Sequence, residues 1–209
     1  MDEPIPIEFQ FTDEERNLAR EEGFRRRRVN VDQGTEGRNN CEAEGDEALK
    51  MDLLGAAGEM AFASYFGMKN FLYTELRAKP GSIDLPPDID VKTTDRHSNR
   101  LICQLDEAVE KRLVLVTIEN MKTLIRGWRW VSECKRREWI KDPTGRRPAY
   151  FIPTVYLHSI STLAVAPPRY SLGVIDRRER FVYPRAASRE FENWRVYWDE
   201  RSRGIKEKK

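Results

Sequence analysis

The stretch Gly81-Ser-Ile-Asp84-Leu-Pro-Pro-Asp88-Ile-Asp90-Val-Lys92-Thr-Thr94 is the most informative part of the chain for both fold and chemistry. Its second half alternates polar and apolar residues, as a β-strand does when successive side chains point to opposite faces of a sheet. Asp88, Asp90 and Lys92 are therefore predicted to project together, while the apolar residues between them point into a core. We expect one sheet edge to carry two carboxylates beside an amine.

Two further acids suit the same site. Asp84 is separated from Asp90 by a Pro-Pro bend, so it can approach from the neighbouring arm of a hairpin. Glu59 lies in a predicted helix of small and apolar residues, where an acid is costly to bury without a partner or a metal ion. Phosphodiester cleavage needs a cation, hard oxygen ligands to hold it and a group that activates or orients water. The combination indicates a metal-dependent nuclease.

In this order the residues resemble the PD-(D/E)XK nuclease superfamily, particularly its small phage-type members. There a Gly-x-x-Gly-Glu helix, here Gly55–Glu59, precedes an acidic hairpin that ends in Asp/Glu-x-Lys, here Asp90-Val-Lys92. The resemblance implies an α/β fold with a restriction-endonuclease-like core, in which helices flank a mixed central β-sheet. It also implies a nuclease that hydrolyses DNA with Mg²⁺, with Mn²⁺ able to substitute, and favours an endodeoxyribonuclease.

The resemblance assigns roles to individual residues. Asp84, Asp90 and the Val91 carbonyl would ligate the metal, and Glu59 would bind it directly or through water. Lys92 would position or deprotonate the attacking water.

The first hairpin acid is open between two residues. The superfamily has Pro-Asp at this place, but Ile83 precedes Asp84, and the only Pro-Asp is Pro87-Asp88. We favour Asp84, because Asp88 would share a strand with the signature acid.

Residues on the same strand and on later strands are candidate contacts to DNA. They are Thr93, Thr94, Gln104, Arg126 and Arg129. The plainer alternative for the acidic strand itself is an amphipathic edge strand, whose charges face water and discourage aggregation.

The composition excludes several classes of protein. The 209 residues include 37 basic and 35 acidic ones, so the formal net charge of +2 supplies no global attraction to nucleic acid, and binding must rely on local basic patches. Three cysteines without a Cys-x-x-Cys pair argue against a disulfide framework and a structural zinc site. With no signal segment or long apolar run, we expect a soluble cytoplasmic protein, or one in the host cytoplasm if the gene belongs to a phage.

The pattern predicts three regions, a helix with a polar linker at 1–47, the nuclease-like core at 48–165 and a basic, aromatic extension at 166–209. The first helix is expected at 13–27, after a Thr12–Glu15 capping box, and the linker at 29–46. Further helices are predicted at 53–66, 132–141 and 188–201, with a short helical turn at 160–163. Strands are predicted at 71–76, 82–85, 89–93, 101–105, 113–119, 124–130 and 150–157, with 113–118 as a central strand covered on both faces.

Two other functions remain open. One is a non-catalytic nucleic-acid-binding or adaptor protein that keeps the nuclease fold, and the other is a protein-interaction module whose acids are only surface charge. The sequence also leaves open endonuclease or exonuclease action, DNA or RNA as substrate, and the oligomeric state, with a homodimer among the alternatives.

Overall fold

The computed structural model describes residues 3–32, 34, 45–68, 84–85, 88–143, 145 and 147–164. All of them belong to the compact unit Met1–Pro168. The predicted strand at 71–76, the helix at 188–201 and the extension at 166–209 lie outside the described residues, as does most of the linker.

The described residues form seven strands, three α-helices and three short 3₁₀ turns. The strands are β1 (Ile7–Phe9), β2 (Ile89–Thr94), β3 (Leu101–Gln104), β4 (Arg112–Glu119), β5 (Lys122–Trp130), β6 (Ile140–Lys141) and β7 (Ala149–Ile152). The helices are α1 (Asp13–Asp32), α2 (Gly45–Tyr65) and α3 (Val131–Cys134). The 3₁₀ turns are Arg137–Trp139, Thr154–Tyr156 and Ile160–Thr162.

A mixed four-stranded sheet in the order β1-β5-β4-β2 is the centre of the fold. β4 pairs in parallel with β2 and antiparallel with β5. Its residues from Arg112 to Ile118 are all buried, which confirms the prediction of a central strand covered on both faces. β3, β7 and β6 form a second, antiparallel sheet. The chain is thus a mixed α/β protein.

The two faces of the central sheet pack into separate apolar cores. Ile89 and Val91 of β2 join a core that also contains Met60 and Phe62 of α2. Leu113 of β4 joins the other core, to which the second sheet and α3 contribute. Because Asp90 pairs with Leu113 in the parallel ladder, its side chain shares the second face and not the face that packs on α2.

The N-terminal helix begins as the sequence predicts. Glu15 N donates to Thr12 Oγ1 at 3.2 Å, and Thr12 N donates to Glu15 Oε2 at 2.9 Å, which is the expected capping box. The predicted end at residue 27 is wrong, because α1 continues to Asp32. The continuation is stabilised at its far end by Asn30, whose amide donates to Asp52 of α2 at 3.2 Å.

The helix α2 also starts earlier than predicted, at Gly45 instead of residue 53. Leu49 is buried in this added part, and Asp46 and Glu47 stand in the first turn, where acids are favourable. The predicted stop is confirmed: Gly67 has φ +68°, and Met68 N donates to Ala63 O at 2.7 Å.

The helix predicted at 132–141 is wrong. The segment forms one turn of α-helix, one turn of 3₁₀-helix and the short strand β6. Cys134 and Trp139 are both buried in the same core. In a continuous helix two residues five apart would be rotated by about 140° from each other, so they could not face one core together.

The strand predicted at 150–157 is confirmed only for its first part. β7 ends at Ile152, and a 3₁₀ turn follows. The helical turn expected near Ile160 is confirmed. None of the helices in the described ranges is long and apolar enough to cross a membrane.

Candidate active site

A tight hairpin places the first acid beside the signature strand. Leu85 forms an antiparallel bridge with Ile89, and Asp84 N donates to Ile89 O at 3.0 Å. The Asp84 side chain then accepts a hydrogen bond from Val91 N at 2.7 Å. Since the N–H and C=O of one strand residue point to the same side, the Val91 carbonyl also faces Asp84.

Asp90 and Lys92 leave β2 on the same face, as the alternation predicts. Lys92 Nζ donates to Asp90 Oδ2 at 3.0 Å. Only 14% of the Asp90 side chain and 30% of the Lys92 side chain are exposed. The pair is therefore partly buried, and neither charge is fully solvated.

The connection between β3 and β4, residues 105–111, adds a second pair of charges that sequence reasoning did not identify. Glu107 Oε2 lies 3.4 Å from Lys92 Nζ. Lys111 Nζ lies 3.5 Å from Asp90 Oδ2 and 3.5 Å from Glu107 Oε1. Each ammonium thus contacts both carboxylates. We call Asp84, Asp90, Lys92, Glu107 and Lys111 the charged group.

Backbone contacts hold this connection against the later part of the chain. Glu107 N donates to Gln104 O at 3.3 Å, and Glu107 O accepts from Lys135 Nζ at 2.9 Å. Lys111 O accepts from Val131 N at 2.9 Å. In the sequence, the only local sign that Glu107 and Lys111 belong together is their spacing of four residues in a polar segment. Their approach to Asp90 depends on the parallel pairing of β2 and β4.

The charged group shifts the pKa values of its members. Burial raises the pKa of Asp90, but the Lys92 ammonium and hydrogen bonding with Asp84, Glu107 and Lys92 outweigh it and lower the pKa to about 2. Burial lowers the pKa of Lys92, and the charges of Asp90, Glu107 and Asp84 together with the hydrogen bond to Asp90 raise it above the ordinary value. At neutral pH the Asp90 carboxylate and the Lys92 ammonium are both charged.

Asp88 belongs to a different cluster. It accepts hydrogen bonds from Arg112 Nε at 2.9 and 3.0 Å, and Arg112 Nη2 also contacts its carboxylate. Arg112 is bound on its other side to Ala164 O at 2.6 Å. The expectation that Asp88 projects together with Asp90 and Lys92 is wrong, because β2 begins only at Ile89 and Asp88 lies in the turn before it. Of the two candidate first acids, Asp84 is the one beside Asp90.

Glu59 is buried in α2, as predicted, but it has a protein partner. Arg26 Nη1 and Nη2 donate to its two carboxylate oxygens at 2.7 and 2.6 Å. Glu22 also binds Arg26, at 2.9 Å. Burial raises the pKa of Glu22, and the hydrogen bonds and charges of Arg25 and Arg26 lower it below the ordinary value. The positive charge of Arg26 therefore compensates the burial of Glu59 without a metal ion.

The approach of α2 to β2 is very close at one point. A Cβ built on Gly58 would lie 1.9 Å from Thr93 Oγ1. The buried Thr93 hydroxyl has no hydrogen-bond partner among the described residues. Because Thr93 faces α2, Asp90 and Lys92 point to the opposite face of the edge strand. Glu59 thus belongs to the helix that packs on one face of β2, whereas Asp90 points to the opposite face.

The five predicted DNA contacts differ in position. The Thr93 hydroxyl is buried against α2, so it is not placed as an exposed phosphate donor. Thr94 Oγ1 accepts a hydrogen bond from Asn99 Nδ2, which leaves its own O–H group able to donate. Gln104 precedes the connection that carries Glu107, and its buried Oε1 has no hydrogen-bond partner in the described part of the chain. Arg126 contacts Glu3, with 14% of its side chain exposed.

The expected DNA contact by Arg129 does not fit its position. The residue is buried, donates to Tyr156 O and lies over the ring of Trp139, with 5.3 Å from Cζ to the ring centroid. The neighbouring Trp128 is a packed residue, as the plainer interpretation expects, and its Nε1 donates to Ser159 O at 3.1 Å.

The donor types of the charged group fit a hard divalent cation. Asp84, Asp90 and Glu107 offer carboxylate oxygens, which Mg²⁺ and Mn²⁺ prefer, and Gln104 Oε1 is a buried oxygen without a hydrogen-bond partner in the described residues. The present spacing is not that of a formed site, because within the described residues no set of three or more His, Cys, Asp or Glu side chains is arranged to hold a metal ion. Lys92 and Lys111 stand between the carboxylates instead.

Comparison of the chain with models of protein families, with curated proteins and with solved structures finds no match.

Proposed function

We propose that this protein is a divalent-cation-dependent nuclease of the PD-(D/E)XK type that hydrolyses DNA. One observation carries the proposal: Asp84, Asp90 and Lys92 converge at the hairpin edge of a mixed sheet, in the order and on the elements that such a nuclease needs. The restriction-endonuclease-like core is part of the same proposal, with β2, β4 and β5 as its sheet and α2 as the flanking helix that carries Glu59.

Each residue has a role in the proposed reaction. Asp84, Asp90 and the Val91 carbonyl would hold Mg²⁺, or Mn²⁺ in its place, with Glu107 as a further carboxylate. When bound, the cation supplies positive charge that polarises the scissile phosphate and offsets the charge growing on the leaving oxygen. Glu59 would act through water or through Arg26, since its oxygens are bonded to that guanidinium.

Lys92 is assigned to orienting the attacking water and not to deprotonating it. Its raised pKa keeps the side chain an ammonium, which can donate hydrogen bonds but cannot accept a proton. Asp90 and Glu107 hold that ammonium from two sides, at 3.0 and 3.4 Å. An ammonium held in this way needs little reorganisation before it donates a hydrogen bond to water.

The test is cleavage of DNA by the purified protein. Supercoiled plasmid, end-labelled linear DNA and labelled RNA are incubated with Mg²⁺, Mn²⁺ or EDTA. Lys92→Ala is compared with Lys122→Ala, because the Lys122 side chain is 49% exposed and pairs with Glu8 away from the charged group. We expect cation-dependent cleavage of DNA, a loss of about 100-fold or more in Lys92→Ala and no change in the control. Undiminished turnover in folded Lys92→Ala would contradict the proposal.

A second candidate is a non-catalytic nucleic-acid-binding protein that keeps the nuclease fold. The internal pairing of the acids favours it, because Lys92 and Lys111 already compensate Asp90 and Glu107, and Arg26 compensates Glu59. DNA binding that is insensitive to EDTA, with every substrate left intact in Mg²⁺ and Mn²⁺, would favour this candidate over the nuclease.

A further inference from the structure

We propose that Cys103 and Cys134 are a redox-sensitive pair, in which hydrogen peroxide oxidises the two thiols to a reversible disulfide that ties β3 to α3. This pair goes beyond the proposed function, because neither cysteine has a part in the cleavage of DNA. The disulfide would be a modification site with a small peroxide as its oxidant.

The two cysteines are distant in the sequence and adjacent in the fold. Cys103 lies on β3 and Cys134 ends α3, and both are free thiols that are fully buried in one apolar core. Their side chains are hydrogen bonded to each other, and the Cys103 thiol also donates to Gln104 O at 3.5 Å. Because the hydrogen of Cys103 is directed to that carbonyl, the Cys134 thiol is the donor to the Cys103 sulfur. Two sulfurs in contact meet the first requirement for a disulfide.

Short elements cover this pair. The helix α3 has four residues, and β3 is a four-residue strand at the edge of the second sheet. Ile102, next to Cys103, is 38% exposed. Short edge elements open locally at a lower cost in free energy than a central sheet does. Hydrogen peroxide is uncharged and little larger than water, so such openings admit it to the buried thiols.

The oxidation removes two electrons from the pair. One sulfur, as a thiolate, attacks an oxygen of the peroxide, the O–O bond breaks, and the departing hydroxide takes up the thiol proton as water. The second sulfur attacks the resulting sulfenic acid, so that the S–S bond forms, the S–O bond breaks and a second water leaves. Two thiols and one peroxide thus give one disulfide and two waters, and a dithiol reductant reverses the reaction by thiol exchange.

The bridge would also act on the connection between β3 and β4, residues 105–111. Cys103 stands two residues before this connection. Lys135, which follows Cys134, donates to Glu107 O at 2.9 Å within it. A covalent bond holds two sulfurs closer together than a hydrogen bond does, and it closes a loop that contains the connection, β4 and β5. We therefore expect oxidation to stabilise the fold and to slow local opening of the connection.

The test is oxidation of the full-length native protein with hydrogen peroxide, followed by blocking of the remaining thiols and mass spectrometry of its peptides. We expect the peptides that contain Cys103 and Cys134 to be joined, with a loss of two hydrogens that dithiothreitol restores. Cys41→Ser is the matched control and should form the same bridge. Cys134→Ala should form no bridge to Cys103, and Cys134→Val takes its place if the alanine variant does not fold.

Two further measurements test the effect of the bridge on the fold. The oxidised wild type should unfold at a Tm about 5 to 10 °C above that of the reduced protein, because the bridge restricts the unfolded chain. Hydrogen–deuterium exchange in residues 105–111 should be about tenfold slower after oxidation. Peroxide should produce neither change in Cys134→Ala.

The outcomes distinguish this inference from the proposed function. A bridge between Cys103 and Cys134 that forms in the folded protein and raises the Tm supports the redox pair, even if the protein leaves all DNA intact, which would refute only the nuclease. Free thiols after treatment, or irreversible oxidation of either cysteine without a bridge, overturn it. A bridge that forms only in urea, or one that leaves the Tm unchanged, also overturns it, even if the wild type cleaves DNA.

Discussion

The close approach of α2 to β2 leads to a sharp prediction about two glycines in one helix. We expect Gly58→Ala to destabilise the protein and Gly55→Ala, one turn earlier in α2, to stabilise it. Both glycines lie in the same helix, and each substitution by alanine gains about 1 kcal/mol in helix propensity. They differ in what the added methyl group meets.

The magnitude follows from the neighbours of each site. At Gly55 the nearest atom to an added Cβ is Arg26 Nη1 at 3.7 Å, an ordinary contact. At Gly58 the new Cβ would lie 1.9 Å from Thr93 Oγ1, 2.6 Å from its Cγ2 and 2.8 Å from its Cβ. Rotation of the Thr93 side chain moves the first two atoms but not the third, so β2 and α2 must separate. Overpacking of this kind costs about 3 kcal/mol, which exceeds the propensity gain and leaves a net loss of about 2 kcal/mol.

The assay is urea denaturation followed by circular dichroism, with thermal unfolding beside it. The two variants should differ by about 3 kcal/mol in the free energy of unfolding, or roughly 6 to 12 °C in Tm for a chain of this size. Replacing Thr93 by Ala in the Gly58→Ala background removes the two nearest atoms, so it should recover part of the loss. Equal stability of the two single variants would refute the reasoning, because it would mean that α2 and β2 are not in contact at Gly58.

Two further predictions concern buried charges. The pKa of Asp90 is lowered to about 2 in the folded protein from its ordinary value of 3.8, so its contribution to stability is present above pH 4 and lost as the pH falls toward 2. Urea titrations at pH 5 and pH 2 should show that Asp90→Asn loses about 2 kcal/mol less over this interval than the wild type, and an equal loss would contradict the pairing of Asp90 with Lys92. Arg112→Met leaves the Asp88 carboxylate, which is 21% exposed, without its partner and should cost about 3 kcal/mol in free energy of unfolding. The exposed pair of Lys50 and Asp95 is the control, since Lys50→Met should change the free energy of unfolding by less than about 1 kcal/mol. Similar losses in Arg112→Met and Lys50→Met would argue against a buried pair of Arg112 and Asp88.

The local parts of the fold could be predicted from the sequence. The apolar run Leu113–Ile118 is the buried centre of the sheet, and the capping box at Thr12 begins α1. The order of Asp90 and Lys92 on one strand predicted that their side chains share a face, and they are hydrogen bonded. These features depend on residues a few positions apart, for which the geometry of a strand or a helix turn is sufficient.

Contacts between distant segments were predicted less well. Burial of Glu59 suggested a metal ion, but its partner is Arg26, 33 residues earlier in the chain. The segment at 132–141 has the pattern of a charged helix. It instead forms short pieces, because Cys134 and Trp139 are both buried in one core. In both cases a long-range contact outweighs the local pattern.

The sequence by itself determined the alternation of β2, its signature acid and lysine, and the apolar strand that runs beside it. Only the tertiary structure decided that Asp84 joins Asp90 while Asp88 turns to Arg112, and that Glu107 and Lys111 complete the charged group. The physical reason is that side-chain alternation is a property of one strand, whereas the approach of Glu107 and Lys111 to Asp90 requires β2 and β4 to pair in parallel across the connection between them.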